Sequence, residues 1–404
     1  MIAALSRSVR WPAKESCATG AQGAVTETDL LVIGAGPYGL ATAAYARERG
    51  VATMVVGHPM AFWRENMPAD MFLRSGPDWH LDAAYRHTLE AYLEERGIAH
   101  QDVDPMPIGV FVDYAEWFTE SKGVEVRWEL VDRLVECGGG FEATLAGGER
   151  VVARFVLAAP GIRNYANLPE WAPSVPSERC AHTCDLVGLD ELAGERVLIV
   201  GGRQSAYEWA ALAREHGASR VDIVHRHAVP RFERVSWKFV DPHVERTVAV
   251  RGYWRSLPQT ERDAIVRRFW EVGRLTLEYW LTPRLQWDGL TRWPETSVVD
   301  VTQRPGAGEL EVGLSNSSRL TVDRVVFASG YRANLKNVPY LAGLLDAIRM
   351  REGFPVLDEG FQTSLAGLYI TGFSATNDFG PFFGFVKGAP AAANLVVRDI
   401  LAGA

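Results

Sequence analysis

An α/β architecture built from two units of one plan, the second set inside the first, is predicted by three observations. Two glycine-rich turns each follow an apolar run: 30–33 leads into Gly34-Ala35-Gly36-Pro37-Tyr38-Gly39, and 197–200 leads into Gly201-Gly202-Arg203-Gln204-Ser205-Ala206. Each turn opens a segment of helical spacing, 41–50 and 206–216, and a second apolar strand comes next at 51–56 and 221–225. Each unit then ends in an alternating stretch, 124–156 and 298–326, and an apolar run that stops at Gly161 or Gly330. The interval from Gly34 to Gly201 nearly equals that from Gly161 to Gly330, so one unit occurs twice.

A turn of this kind needs glycine because side chains would bar the backbone from a pyrophosphate lying on the helix N-terminus. The prediction is therefore two Rossmann-like dinucleotide-binding domains. Glycine runs at 138–140 and 147–148 make the first alternating stretch a three-stranded meander, and 368–372 reads as a late strand of the first domain. The expected division is a disordered tail over 1–28, a first domain over 29–161 and 322–404, and a second over 162–321. The duplication does not explain 231–295. That insert holds six of the thirteen tryptophans: Trp237, Trp254, Trp270, Trp280, Trp287 and Trp293. Within it, 260–279 carries Ile265, Phe269, Val272, Leu275 and Tyr279 at helical spacing. Its aromatics are expected to pack a helical core or to wall a substrate pocket.

Bulk properties narrow the function. A net charge of −8 over 404 residues argues against nucleic-acid binding, which needs a basic face. Four cysteines are too few for a disulfide framework and point to a reducing, cytoplasmic location. No run approaches a membrane helix in length, and the tail lacks the apolar block of a signal peptide. The nine histidines form no ligand motif, so no metal is expected.

From about Asp29 to the C-terminus, the insert excepted, the chain resembles the class B flavoprotein monooxygenases, and among them the bacterial lysine- and ornithine-type N-hydroxylating enzymes. Asp323-Arg324-Val325-Val326-Phe327-Ala328-Ser329-Gly330-Tyr331 resembles that group's D-x-x-x-(L/F)-A-T-G-Y signature with serine for threonine. Pro107, Phe111, Tyr114 and Trp117 match its P-x-x-x-F-x-x-Y-x-x-W stretch, and His182-Thr183 stands where it has His-Ser. The Baeyer–Villiger pattern F-x-G-x-x-x-H is absent. The resemblance implies an FAD- and NADPH-dependent monooxygenase that uses O2, through a C4a-hydroperoxyflavin, to oxygenate a small molecule. N-hydroxylation of an amine is the favoured reaction; S- or C-oxygenation, or a non-oxygenating reductase of the thioredoxin-reductase type, are the alternatives. The resemblance leaves self-association open.

The resemblance also implies roles for particular residues. Gly34, Gly36, Pro37 and Gly39 would hold the FAD pyrophosphate, and Trp63, Arg64, Met67 and Leu73 would cover the flavin. Gly161, Ser329, Gly330 and Tyr331 would also bind the cofactors. Gly372, Phe373, Pro381 and Phe382 would border the isoalloxazine ring, with Asn377 in the same turn. Arg74, Ser75, Asp78 and His80 would face the substrate, and Asp78, His80 and Asn377 are the catalytic candidates. Gly201, Gly202, Arg203, Gln204 and Ser205 would hold NADPH, and Arg226, within His225-Arg226-His227, would read its 2′-phosphate.

Three positions depart from pattern. Gly57-His58 stands where an acid should hold the first ribose, and Arg203 replaces the third glycine of the second turn. Arg203 is expected to turn outward, its charge meeting a phosphate. Cys180-Ala181-His182-Thr183-Cys184 spaces its cysteines one residue too far for the redox C-x-x-C, so two ordinary thiols are expected.

Overall fold

The computed structural model describes residues 25–303 and 308–403. The expected tail lies outside these as far as residue 24. Residues 25–28 are not tail: they begin strand Val25–Ile33 and pair with 150–153.

Strand Val25–Ile33 ends in four buried residues because sheet neighbours and helices cover both its faces. Thr53–Val56 lies parallel on one side and Arg150–Ala158 on the other. Val126–Arg127 extends the first edge. Val131–Cys137, Gly140–Leu145 and Arg150–Ala158 form the expected meander, and Leu368–Ile370 adds the late parallel strand beside Arg150–Ala158. Helix Pro37–Glu48 buries its alanine-rich face, with helix Ala389–Ala402 packed against it.

The second sheet is wholly parallel, in the order Leu290–Trp293, Arg220–Val224, Arg196–Val200, Arg324–Phe327, Cys180–His182. An antiparallel trio, Val298–Gln303, Leu310–Leu314 and Arg319–Val322, covers it. Two boundaries therefore differ from expectation. Strand Arg324–Phe327 hydrogen-bonds beside Arg196–Val200, so the second unit continues past 322 to Gly330. Leu290–Trp293 was expected inside the insert but is a strand of the second sheet, its register fixed by Arg220–Val224.

The insert's helix is also shorter than expected. Gln259–Arg268 is α-helical, Phe269–Arg274 forms a π turn, and the chain then extends as Thr276–Leu277 beside Arg231–Phe232. The wider π turn puts the residues beyond it out of phase with the helix before it. Phe269 is buried, whereas Val272, Leu275 and Tyr279 are 38%, 38% and 36% exposed, so the apolar stripe does not form one buried face.

The two chain crossings between domains run side by side. Asn167 N–H donates to Gly330 O and Arg332 N–H to Tyr165 O, at 2.9 and 2.8 Å. Arg74 ties the first domain to the insert through Glu278 Oε1, Gly273 O and Thr276 O, at 3.0, 2.7 and 2.8 Å. Buried Glu208 on the second domain's first helix accepts from Phe72 N–H at 2.8 Å. Burial pushes this carboxyl up to about 7. The folded state thus keeps a proton that the unfolded chain releases above its ordinary value of 4.5, and stability is lost as pH rises from there to about 7. Glu208→Gln is expected to remove that loss, which is on the order of 3 kcal/mol. Urea unfolding at the two ends of the window measures it; an unchanged pH slope would contradict the assignment.

Candidate functional site

Both glycine turns open into one cleft of about 2090 Å³ between the domains. In the first turn Gly34 has φ +112°, and a Cβ there would run into the Ala159 carbonyl oxygen; one on Gly39 would strike Gly34 O. These two glycines let strand, turn and helix close on one another. Gly36 differs. A Cβ on it would meet nothing nearer than the Trp63 ring at 4.0 Å, so it would project into open cleft. Helix Pro37–Glu48 starts at Gly36 with no side chain capping its free N–H groups. An uncapped helix N-terminus facing open space is a seat for an anion. No acid ends strand Thr53–Val56, but Glu65, farther along the chain, lines the cleft and pairs with His58 at 3.5 Å.

The second turn repeats this with changes. A Cβ on Gly201 (φ +149°) would strike Ala328 O, as Gly34 would strike Ala159. Gly202 is packed against the His225 and His227 rings, so its glycine serves close packing. Helix Gln204–Glu215 starts at Arg203, again with no capping side chain. Arg203 does turn out of the loop, and its guanidinium lies over Trp270, 4.2 Å from the ring centroid. Gln204 Oε1 accepts from Glu278 N–H at 3.1 Å, and Ser205 and exposed Arg226 line the cleft. His225 beside Arg226 is buried, bonded to Tyr207 and to His227 O, and burial pushes it down.

Around these turns, Trp63, Met67, Leu73, Gly161, Ser329, Gly330, Tyr331, Gly372, Phe373, Asn377 and Pro381 all line the cleft. Four other nominated residues do not. Arg64 pairs with Glu116 on the outside of its helix, and Phe382 is buried against Trp254 and His243. Asp78 is held by Lys387 Nζ at 3.0 Å, which also binds Asp241 at 3.0 Å. His80 is buried edge-on to Tyr85, and burial pushes it down to about 4, which leaves it neutral. The residue between them, Trp79, is the one that faces the cleft. Asp78 and His80, expected to be catalytic, thus do not line the cleft: Asp78 is paired with Lys387 and His80 is buried. Asn377, with its amide oriented to satisfy both partners, accepts from Arg351 at 2.7 and 3.1 Å.

Sequence reasoning missed Arg262, Arg274 and Arg351, all on the cleft. Of the insert's tryptophans, Trp254 and Trp270 line it, and Trp237 packs among the aromatics behind.

Neither Cys180 nor Cys184 reaches the cleft; Thr183 between them does. Both are free thiols. Buried Cys184 lies 3.1 Å from His182 Nδ1, while His182 Nε2 is 3.0 Å from Gly330 O, a carbonyl that can only accept. The histidine proton therefore sits on Nε2 and Cys184 donates to Nδ1. Burial pushes Cys184 up, away from the thiolate that redox exchange needs. Among the described residues no acid, histidine and cysteine cluster fits a metal, and no helix is long and apolar enough to cross a membrane.

A family profile described as pyridine nucleotide-disulphide oxidoreductase matches residues 28–252, more than half of the chain. The chain belongs to that family. Among solved structures, the protein shares its fold with an ornithine N-hydroxylase from Kutzneria sp. 744 (TM-score 0.77, 17% identity, 93% of this chain and 99% of that one). The L-lysine 6-monooxygenase of Pseudomonas syringae is similar too (TM-score 0.70, 17% identity, 93% and 100% covered). By sequence, this oxidoreductase is 28% identical to an FAD-dependent urate hydroxylase of Xanthomonas campestris pv. campestris over 268 residues, 60% of this chain and 53% of that protein. It is 26% identical to a probable indole-3-pyruvate monooxygenase of Arabidopsis thaliana, over 85% and 84% of the two chains. The chain thus spans about half the length of the urate hydroxylase it matches.

Proposed function

We propose that this oxidoreductase is an FAD- and NADPH-dependent monooxygenase that oxygenates a small molecule. The observation that carries the reading is that two uncapped helix N-termini, each behind a glycine turn, open into one cleft. Two dinucleotides seated there would share that cleft. Bound FAD supplies the redox and oxygen chemistry, and NADPH supplies the electrons. The first seat fits a pyrophosphate because a Cβ on Gly36 would enter open cleft. The chain's own work is to bind, orient and exclude water. Trp63, Met67 and Leu73 form an apolar wall beside the first turn, and Trp254, Phe269 and Trp270 form one on the insert. Asn377, its oxygen taken by Arg351, keeps its amide N–H groups as donors at the cleft.

N-hydroxylation of an amine is the finer reading, supported by a fold shared with N-hydroxylases. A second reading, oxygenation at carbon, is favoured by the sequence relatives. A thioredoxin-reductase-like disulfide exchange is disfavoured by the inward-facing Cys184. Oxygen uptake and NADPH oxidation by the purified protein, with product analysis, test the proposal. Uptake that rises with substrate and releases little peroxide is expected; NADPH oxidation that reduces only a disulfide or a ferredoxin would refute it.

Arg226→Ala is expected to narrow the preference for NADPH over NADH by about tenfold or more, the worth of one charge-assisted contact to a phosphate. Steady-state kinetics with both coenzymes read this directly; an unchanged ratio would remove Arg226 from the site.

A further inference from the structure

Three guanidinium groups on the insert's side of the cleft have no carboxylate partner among the described residues: Arg262 and Arg274 of the insert itself, and Arg203 of the second turn. Arg274 is the most unusual. It is largely withdrawn from solvent, its Nε is buried, and that Nε has no hydrogen-bond partner among the described residues. Its guanidinium sits between two rings, 5.6 Å from the Trp270 centroid and 5.0 Å from that of Phe385. The neighbouring charges do not neutralise it. Glu278 is taken by Arg74, Asp263 accepts from Gln259 Nε2 at 2.7 Å, and Trp270 also carries Arg203. Arg262 gives one N–H to Gln259 Oε1 at 2.8 Å and keeps a buried, unbonded Nε.

Stacking on aromatic faces accounts for the plane of Arg274 and leaves its N–H edge unsatisfied. Arg274 is partly buried, an Nε shut off from water without a partner is costly, and a carboxylate can meet a guanidinium edge with two parallel hydrogen bonds. The setting also selects what carries that carboxylate. Phe385 lies 5.5 Å from Phe269 and 6.3 Å from Trp79, and all three rings line the cleft, so an apolar ring has edges and faces to pack on. The π turn builds the arrangement, because it carries both Trp270 and Arg274 while Gly273 packs against Trp237. Burial, then Arg203 and Arg74, push Arg274 down to about 10, so it stays a cation at neutral pH.

We infer that Arg274, aided by Arg262, is a substrate-binding residue for the carboxylate of a small aromatic acid. The inference rests on the monooxygenase reading and names the substrate class of that cleft. The same donors could serve a coenzyme phosphate, so the test separates the two sources.

Calorimetric titration of the holoprotein with benzoate, phenylacetate and indole-3-acetate, each against its own neutral amide, is the experiment. At least one acid is expected to bind about tenfold or more tightly than its amide, the worth of a charge-assisted pair. Arg274→Gln should erase that preference, Arg274→Lys should keep part of it, and NADP⁺ affinity should be unchanged in both. Equal binding of every acid and amide, or no binding of any, overturns the inference, as does a preference that survives Arg274→Gln. A loss of NADP⁺ affinity matching the loss of acid binding assigns Arg274 to the coenzyme and overturns it too. NADPH-dependent oxygen uptake on the same preparations tests the parent reading separately: a protein that binds acids without consuming NADPH keeps this site and loses the monooxygenase assignment.

Discussion

A Gly36→Asp protein is expected to fold normally and to emerge colourless. Gly36 has an ordinary backbone at φ −88°, and a Cβ there meets nothing within the fold closer than 4.0 Å. Aspartate is also a favourable N-cap, and its charge suits the positive end of helix Pro37–Glu48. Stability should therefore hold or rise. The same carboxylate would stand where a pyrophosphate must sit, and like charges so placed cost several kcal/mol. FAD affinity should fall by about a hundredfold or more. Flavin content and thermal melting of the same preparation separate the two effects. A yellow, fully loaded variant would show that nothing anionic binds at this turn.

Arg203→Glu is expected to leave FAD bound and to raise the Kd for NADPH by about a hundredfold. Arg203 stands at the start of helix Gln204–Glu215, is exposed, and makes its main contact with Trp270, so the reversal disturbs little of the core. It replaces a cation with an anion at the second seat. Arg203→Gly, which restores the commoner glycine, should alter NADPH affinity far less than the reversal. Rates of NADPH oxidation across a coenzyme titration give both values. Equal kinetics for native protein and Arg203→Glu would mean that the second turn holds no phosphate.

Much of this layout was legible in the sequence because backbone demands glycine where chains close tightly. Gly34 and Gly201 each abut a carbonyl just past the unit's closing strand, and the duplication followed from that shared need. The meander and the late strand Leu368–Ile370 were legible for the same kind of reason, alternation bounded by turns. Other features left no local trace. Leu290-Thr291-Arg292-Trp293 is too short and mixed to read as a buried strand, and its partner Arg220–Val224 alone makes it one. Helical spacing runs on past Arg268, so nothing marks the π turn. Asp78 and His80 looked like site residues because they follow the segment expected to cover the flavin, yet Asp78 pairs with Lys387, which is distant in sequence. Arg274 had no signal because the rings that frame it come from 270 and 385.

The proposed function requires that two dinucleotides bound at these turns meet in one cleft and that electrons pass between them inside a single chain. Anaerobic rapid mixing of the FAD-loaded protein with NADPH, repeated with coenzyme deuterated at the transferred position, tests this most directly. The flavin's visible band is expected to bleach at a rate that saturates with NADPH and slows with the deuterated coenzyme. A flavin that stays oxidised under saturating NADPH would contradict it.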